Sequence, residues 1–226
     1  MIPFAYTVQW DVIRPAIGEL WHGLRITIEL SLLSLVLSLA LGLLVALARM
    51  SPFRVLRGIA YVYVAVFRAI SLYIYVLWIY FGIAGVFGIN FNPLTAGVIA
   101  LTIMNSAYMA EIYRSALGAV DPGQREAATS LGFGRVRGFF TVVFPQAIRI
   151  AIPSLINQFV DIVKDSSIVS IIGTSDLFGV TNRMVNYYRA PFELCTLVAF
   201  FYLTLVLAIS ALAAVLERRL QRHLIQ

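Results

Sequence analysis

The chain has 226 residues, of which 61% are hydrophobic and 12% charged, and its mean hydropathy is +0.89. Soluble domains are about half apolar and about a quarter charged, so this composition excludes a soluble globular protein, and its aromatic content excludes a disordered one. It predicts an all-α integral membrane protein of five or six spans, and the net charge of +6 is first interpreted as loop charge that sets orientation.

The first span is predicted over residues 30–48, an unbroken apolar run between Glu29 and Arg49. Residues 1–29 do not look like a cleaved signal peptide, because acidic and basic residues are scattered through them and no short apolar core precedes a small-residue cleavage site. This segment is therefore predicted to lie in the interface, with Tyr6, Trp10 and Trp21 at headgroup depth.

The second and third spans come from a stretch without charge between Arg68 and Glu111, which is too long for one helix. Turn-forming residues near its middle divide it: Gly82, Gly85, Gly88, Asn90, Asn92 and Pro93. The second span is expected to begin near Leu56 and to include Arg68, and the third to cover about 93–113.

The fourth span is predicted over residues 148–172, although it contains charged residues, and the fifth over 194–216. Five spans place the termini on opposite sides. With the N-terminus outside, the inner loops hold Arg49, Arg54, Arg57, Arg114, Arg125, Arg135, Arg137, Arg149, Arg218, Arg219 and Arg222, and the outer ones Arg14, Arg25, Arg183 and Arg189. The positive-inside rule favours this orientation, so the basic surplus is topological and nucleic acid is not an expected partner.

The longest polar insertion is the inner loop at about 114–149. Asp121 as an N-cap, Pro122 at the first helical position and Gly132 as a C-cap predict a short helix along the inner membrane face. A helix that only rests on lipid headgroups is the alternative.

This loop resembles the EAA signature of ABC importer permeases, E-A-A-x3-G-x9-I-x-L-P. The matching residues are Glu126-Ala127-Ala128, Gly132 and Val142-Val143-Phe144-Pro145, in which Val142 and Phe144 are conservative departures. The flanking segments, over about residues 18–216, look like the polar amino acid branch (histidine, glutamine and arginine permeases) of that family.

The resemblance implies a single transmembrane permease domain over 1–226 whose coupling helix docks on a separate ATPase subunit. The expected coupling residues are Gly123, Glu126, Ala127, Ala128 and Gly132. The implied partners are an ATPase dimer that carries ATP and Mg, a second permease subunit, an extracytoplasmic solute-binding protein and the lipid of a bacterial inner membrane. No cofactor is expected in this chain.

Polar residues recur every three or four positions along the fourth span, so they share one helix face: Ser154, Asn157, Asp161, Lys164 and Asp165. Ionisable groups at membrane depth are costly and by default functional. With Arg68 and Asn105 they are predicted to line a path for a zwitterion, with a weak preference for basic amino acids. The alternative is that the charges neutralise one another and hold the bundle together.

One segment departs from the family pattern. Where the branch usually has Arg-Gly-Thr-Pro-Leu-Leu-Val-Gln, this chain reads Arg68-Ala69-Ile70-Ser71-Leu72-Tyr73-Ile74-Tyr75. This loss predicts a heteromeric permease pair whose partner keeps the usual motif.

Other classes of function are less well supported. The only lysine is Lys164 and no P-loop precedes it, and H-E-x-x-H and G-x-S-x-G are absent, so the chain is not expected to be an enzyme. The single Cys195 excludes an internal disulfide and a cysteine metal cluster. A self-sufficient carrier or channel that uses the intramembrane charges is the main alternative. A structural subunit without transport is the third.

Overall fold

The structure is a computed structural model that describes residues 8–221, with side chains over 8–215. Every regular element within this part is helical. Four of its helices are long and apolar enough to cross a membrane, and a bent helix pair makes a fifth crossing if it is counted as one span. The predicted all-α membrane class is thereby confirmed. Tyr6 and Arg222, which entered the predictions, lie outside the described residues.

Helix α1 (Ile13–Arg49) is continuous, so the predicted boundary at Glu29 is wrong. Arg25 and Glu29 lie one helical turn apart on the exposed face and do not interrupt the helix. The opposite face of the same stretch is fully buried at Leu20 and Thr27, and Thr27 Oγ1 accepts a hydrogen bond from the backbone N–H of Leu177 at 2.9 Å. The residues before Glu29 are therefore part of a membrane helix that packs against a distant segment of the chain.

The second apolar stretch is broken. Helix α2 (Arg54–Ala69) is followed by extended backbone at Ile70 and Ser71, then by α3 (Leu72–Leu77), a wider i→i+5 turn over Trp78–Gly82, and α4 (Ile83–Phe87). The two halves meet at 103°, a bend that the sequence pattern does not predict. The predicted division before Pro93 is confirmed, because Gly88 ends α4 with a φ of +67°.

Helix α5 (Pro93–Gly118) packs along α1 through small side chains. Asn92 caps its start by accepting from the N–H of Thr95 at 2.7 Å, in agreement with the predicted start. Gly42 of α1 lies so close to α5 that a Cβ atom there would stand 2.5 Å from Cβ of Met109 and 2.9 Å from the carbonyl oxygen of Ser106. Small residues permit this close approach of two backbones, as is common between helices in membranes.

The short helix α6 (Pro122–Ser130) precedes a long helical rod made of α7 (Arg135–Gly138), a wider turn over Phe139–Val143, α8 (Phe144–Val169) and a final turn over Ser170–Ile172. The fourth span thus begins as a helix at Arg135 and not at 148 as predicted. The wider turn lies just ahead of Pro145, whose ring clashes with the carbonyl four residues earlier in a regular helix.

Helix α9 (Leu177–Tyr188) was not predicted and joins the rod to α10 (Pro191–Gln221). Asp176 caps α9 by accepting from the N–H of Phe178 at 3.2 Å. Leu177 and Leu194 pack with Leu20 of α1 in one buried cluster. This cluster holds the first third of α1 against the connection between the last two long helices.

Candidate coupling and transport sites

The predicted surface helix is present as α6, with the predicted ends. Asp121 Oδ1 accepts from the N–H of Gly123 at 2.7 Å, and Pro122 occupies the first turn. Gly132 has a φ of +79°, a conformation that favours glycine, and the N–H of Phe133 returns to the carbonyl of Ala128 at 3.0 Å. Local capping chemistry therefore determines both ends of α6.

Two side-chain hydrogen bonds attach α6 to its neighbouring helices. Gln146 of α8 donates through Nε2 to Oε1 of Gln124 at 3.1 Å, and Arg125 donates to the backbone carbonyl of Leu117 in α5 at 3.2 Å. Ala128 is buried, 3.5 Å from the position of a Cβ atom on Gly138. Helix α6 is therefore joined both to α5 and to the rod that carries α8.

The outward face of α6 contains most of the predicted coupling residues. Gly123, Glu126, Ala127 and Gly132 are exposed, and only Ala128 of the predicted set faces inward. Leu131 is 76% exposed beside Gly132, an apolar side chain that the sequence analysis did not include. Its signal is its position, since the polar segment Pro122–Ser130 is followed by this one apolar residue directly before the capping glycine.

The polar face of α8 is open on this chain. Lys164 Nζ lies 2.7 Å from Asp161 Oδ1, and the two side chains are 55% and 50% exposed. Ser154 and Asn157 are exposed and Asp165 is half-buried. Asp161 lies about 11 residues before Ile172, roughly 16 Å along the helix, which is near the middle of a bilayer core about 30 Å thick.

Asn105 lies away from this open face. It is fully buried, donates through Nδ2 to the carbonyl of Leu101 at 2.8 Å, and accepts at Oδ1 from Nε2 of Gln158 at 2.7 Å. It thus joins α5 to α8. Gln158 was missed in the sequence, although its place beside Asn157 in a membrane span is itself a signal.

Arg68 lies in a different environment. Its guanidinium lies over the ring of Tyr108, 5.0 Å from the ring centroid. Both residues line a cavity of about 400 Å³ together with Arg49 and Glu111, and the described lining residues come from α1, α2 and α5. In the single chain the structure therefore brings together the polar residues of α8 but not Arg68.

No group of three or more His, Cys, Asp or Glu side chains among the described residues is placed to hold a metal ion. Instead, the chain combines several long apolar helices, an open charged face at membrane depth and a short polar helix fixed to two of the spans. These features define the membrane subunit of a transporter.

Comparison with known proteins identifies the transporter class. Residues 38–222 match the family described as the inner membrane component of binding-protein-dependent transport systems, and the chain belongs to this family. It is therefore a multi-pass permease subunit and not an enzyme, and membership implies a separate ATPase and a separate binding protein. The self-sufficient carrier is not favoured.

Relatives are similar over nearly the whole chain. The glutamine transport system permease protein GlnP of Escherichia coli K12 is 33% identical over 94% of this chain and 98% of its own length. The probable glutamine ABC transporter permease protein GlnM of Bacillus subtilis 168 is 36% identical, over 88% and 92% of the two chains. The arginine transport system permease protein ArtQ of the same organism is 31% identical, over 92% and 95%.

Solved structures agree with the fold. A crystal structure of an amino acid ABC transporter with histidines contains a chain that is 37% identical, with a TM-score of 0.90 over 95% of this chain and 100% of that one. A chain of a methionine ABC transporter in an inward-facing conformation has a TM-score of 0.78 at 19% identity, over 91% and 98% of the two chains, and supports the fold alone.

Proposed function

We propose that the chain is the transmembrane subunit of an ATP-driven importer of polar amino acids, and that α6 is its coupling helix. The attachment of α6 to α5 and α8, with Glu126 on its outer face, is the observation that carries this proposal. Its relatives are named for glutamine and arginine transport. ATP and Mg are assigned to the partner ATPase, and no cofactor to this chain.

The docking surface for the ATPase is formed by Gly123, Glu126, Ala127 and Gly132, with Leu131 added. Ala128 supports this surface from within, because it packs toward Gly138 at the base of the rod. An exposed leucine beside an exposed glutamate suits a groove that has both an apolar floor and a basic or polar rim.

A single membrane-spanning domain with five crossings, the N-terminus outside and the C-terminus in the cytoplasm of a bacterial cell fits the arginine distribution. The bent pair of α2 with α3 and α4 is then the second crossing. In this arrangement α6 and the end of α1 share the inner surface, since Met50 lines the same cavity as Ala128.

The transport path is assigned to the open face of α8. A half-exposed ion pair near the bilayer middle does not face lipid, because charged groups there are strongly disfavoured. A second permease subunit facing α8 encloses this face in a polar space. The departure from the usual motif after Arg68 favours a different chain as that second subunit.

The charges of the path favour a cationic substrate. Lys164 balances Asp161 at 2.7 Å, which leaves Asp165 as the additional acid on the same face. A basic amino acid or a related derivative supplies the positive charge that this face lacks, since Lys164 is already paired with Asp161.

Glu126→Lys tests the coupling role. The change is expected to reduce co-purification of the ATPase and to abolish binding-protein-dependent uptake in proteoliposomes, while membrane insertion is retained. Glu19→Lys, an equal charge reversal at an exposed position of α1, is the matched control and is expected to keep uptake. Unaltered uptake by Glu126→Lys would rule out the coupling assignment.

A second experiment separates the two kinds of permease pair. The chain is purified with the ATPase alone and reconstituted with the binding protein. If this complex transports an amino acid at the rate of the complete system, the heteromeric proposal is wrong and the chain forms a homodimer.

A further inference from the structure

The cavity between α1, α2 and α5 has an excess of positive charge. The charged residues that line it are two arginines, Arg49 and Arg68, and one glutamate, Glu111. Glu111 is shared, since it forms ion pairs with both Arg49 and Arg114. The guanidinium of Arg68 contacts the ring of Tyr108. Among the described residues, no carboxylate forms an ion pair with it.

One end of the cavity lies near the part of the chain that carries α6. Arg49 is the last residue of α1, and the next residue, Met50, lines a second cavity together with Arg125 and Ala128 of α6. The α5 residues that line the cavity, Tyr108 and Glu111, lie roughly 15 Å and 10 Å before the end of that helix. This depth corresponds to the outer part of the hydrocarbon core, from which long arginine side chains reach toward the headgroup layer.

The wall of the cavity continues into an apolar surface. Val64, Ala65 and Ala69 line it from α2. Val62, which adjoins Ala65 and Ala69 at helical spacing on the same helix, is 58% exposed. A ligand with an anionic head and apolar chains matches both parts, whereas a free anion leaves the apolar part unused.

We propose that this cavity binds the phosphate headgroup of an anionic phospholipid, with Arg49 and Arg68 as the contacting cations and the acyl chains along α2. Basic pockets between transmembrane helices are suited to anionic headgroups. Tyr61 and Tyr108 orient the two guanidiniums, whose carbon atoms lie 5.5 Å and 5.0 Å from the respective ring centroids. This inference assigns Arg68 to lipid and not to the amino acid path.

The experiment counts lipids on the purified permease–ATPase complex. The complex is placed in nanodiscs of phosphatidylcholine with or without phosphatidylglycerol, released, and analysed by native mass spectrometry. Wild-type complex is expected to retain phosphatidylglycerol in preference to phosphatidylcholine. Arg68→Gln is expected to lower that retention about fivefold, the effect of one basic residue near an anionic surface.

Two control variants are compared with Arg68→Gln in the retention of phosphatidylglycerol. Arg57→Gln removes an exposed arginine from the same helix outside the cavity and is expected to keep retention. Arg68→Lys keeps the charge but loses the planar group that stacks on Tyr108, so its retention is expected to lie between those of wild type and Arg68→Gln. Equal loss in Arg57→Gln and Arg68→Gln, or no preference for phosphatidylglycerol, would overturn the proposal.

A further arm separates lipid from free phosphate. Inorganic phosphate is added to the complex in phosphatidylcholine nanodiscs and the thermal midpoint is measured. A stabilisation that depends on Arg68, without selective retention of phosphatidylglycerol, would assign the cavity to a soluble anion and overturn the lipid assignment. Neither readout requires transport, so this test is independent of the proposed function.

Discussion

The close contact between α1 and α5 allows a quantitative test at Gly42. A Cβ atom at this position would lie 2.5 Å from Cβ of Met109, 2.9 Å from the carbonyl oxygen of Ser106 and 3.2 Å from the backbone nitrogen of Ala110. Two of these three atoms belong to the α5 backbone, so rotation of a side chain cannot relieve the overlap. Gly42→Ala therefore has to push the two helices apart.

The expected cost follows from two opposing effects. Overpacking of a filled interface costs about 1–3 kcal/mol, whereas alanine in place of glycine inside a helix gains about 0.5–1 kcal/mol. Gly18→Ala isolates the second effect, because Gly18 lies in the same helix and a Cβ atom there meets nothing within 4 Å. The two variants are thus expected to differ by about 1–3 kcal/mol in the free energy of unfolding.

The assay is thermal unfolding of the purified complex in one detergent, followed by tryptophan fluorescence or by aggregation. Gly18→Ala is expected to melt at or slightly above the wild-type temperature, and Gly42→Ala several degrees below it. Equal melting temperatures of the two variants would show that α1 and α5 are not packed as closely as described.

Three further changes test other parts of the structure. Asn105→Leu leaves the Gln158 amide without its partner and is expected to lower the free energy of unfolding by about 0.5–2 kcal/mol, measured by thermal unfolding. The double variant with Gln158→Leu should recover part of that loss. Additive losses would contradict the hydrogen bond between the two side chains. Burial raises the pKa of Asp176 to about 6, so between pH 4 and pH 6 the folded state holds a proton that the unfolded state has lost. The free energy of unfolding should therefore fall by up to about 3 kcal/mol as the pH rises from 4 to 6, and stay level above pH 6. Melting curves of Asp176→Asn, which lacks this group, should lose that slope, and an unchanged slope would contradict the assignment. Gly132→Ala places a side chain at a φ of +79° and is expected to weaken the binding free energy of the ATPase by about 1 kcal/mol. Gly134→Ala, at a φ of −63°, should bind the ATPase normally. Equal binding by the two variants would contradict the role of the Gly132 backbone.

The sequence predicts those parts of the fold that depend on neighbouring residues. Asn92 and Pro93 at the start of α5, and Asp121 with Gly132 around α6, act through local capping, so these helix ends agree with prediction. The part of α1 before residue 30 packs against residues about 150 positions away, as in the hydrogen bond from Leu177 to Thr27. Charge patterns along one segment contain no information on that contact.

In the candidate transport site, too, the sequence predicts which residues share one helix face but not which residues of different helices meet. The spacing of Asn157, Asp161 and Lys164 on one helix fixes their common face, and the structure agrees. Whether Asn105 or Arg68 reaches that face depends on how α5 and α2 are rotated relative to α8, which spacing within one helix does not determine. Both turn out to have other neighbours, Gln158 for the first and Tyr108 for the second.

The positions of the hydrogen bonds between helices limit how transport can be coupled. Gln146 links α8 to α6 at the membrane surface, Arg125 links α6 to α5, and Gln158 links α8 to α5 near mid-depth. Three helices joined pairwise at two levels resist sliding against one another, so a push on α6 moves them together. In the importer proposed above, the polar face of α8 would then shift as a whole against the second subunit, and access to Asp161 would change at the interface between subunits without rearrangement inside this group of helices.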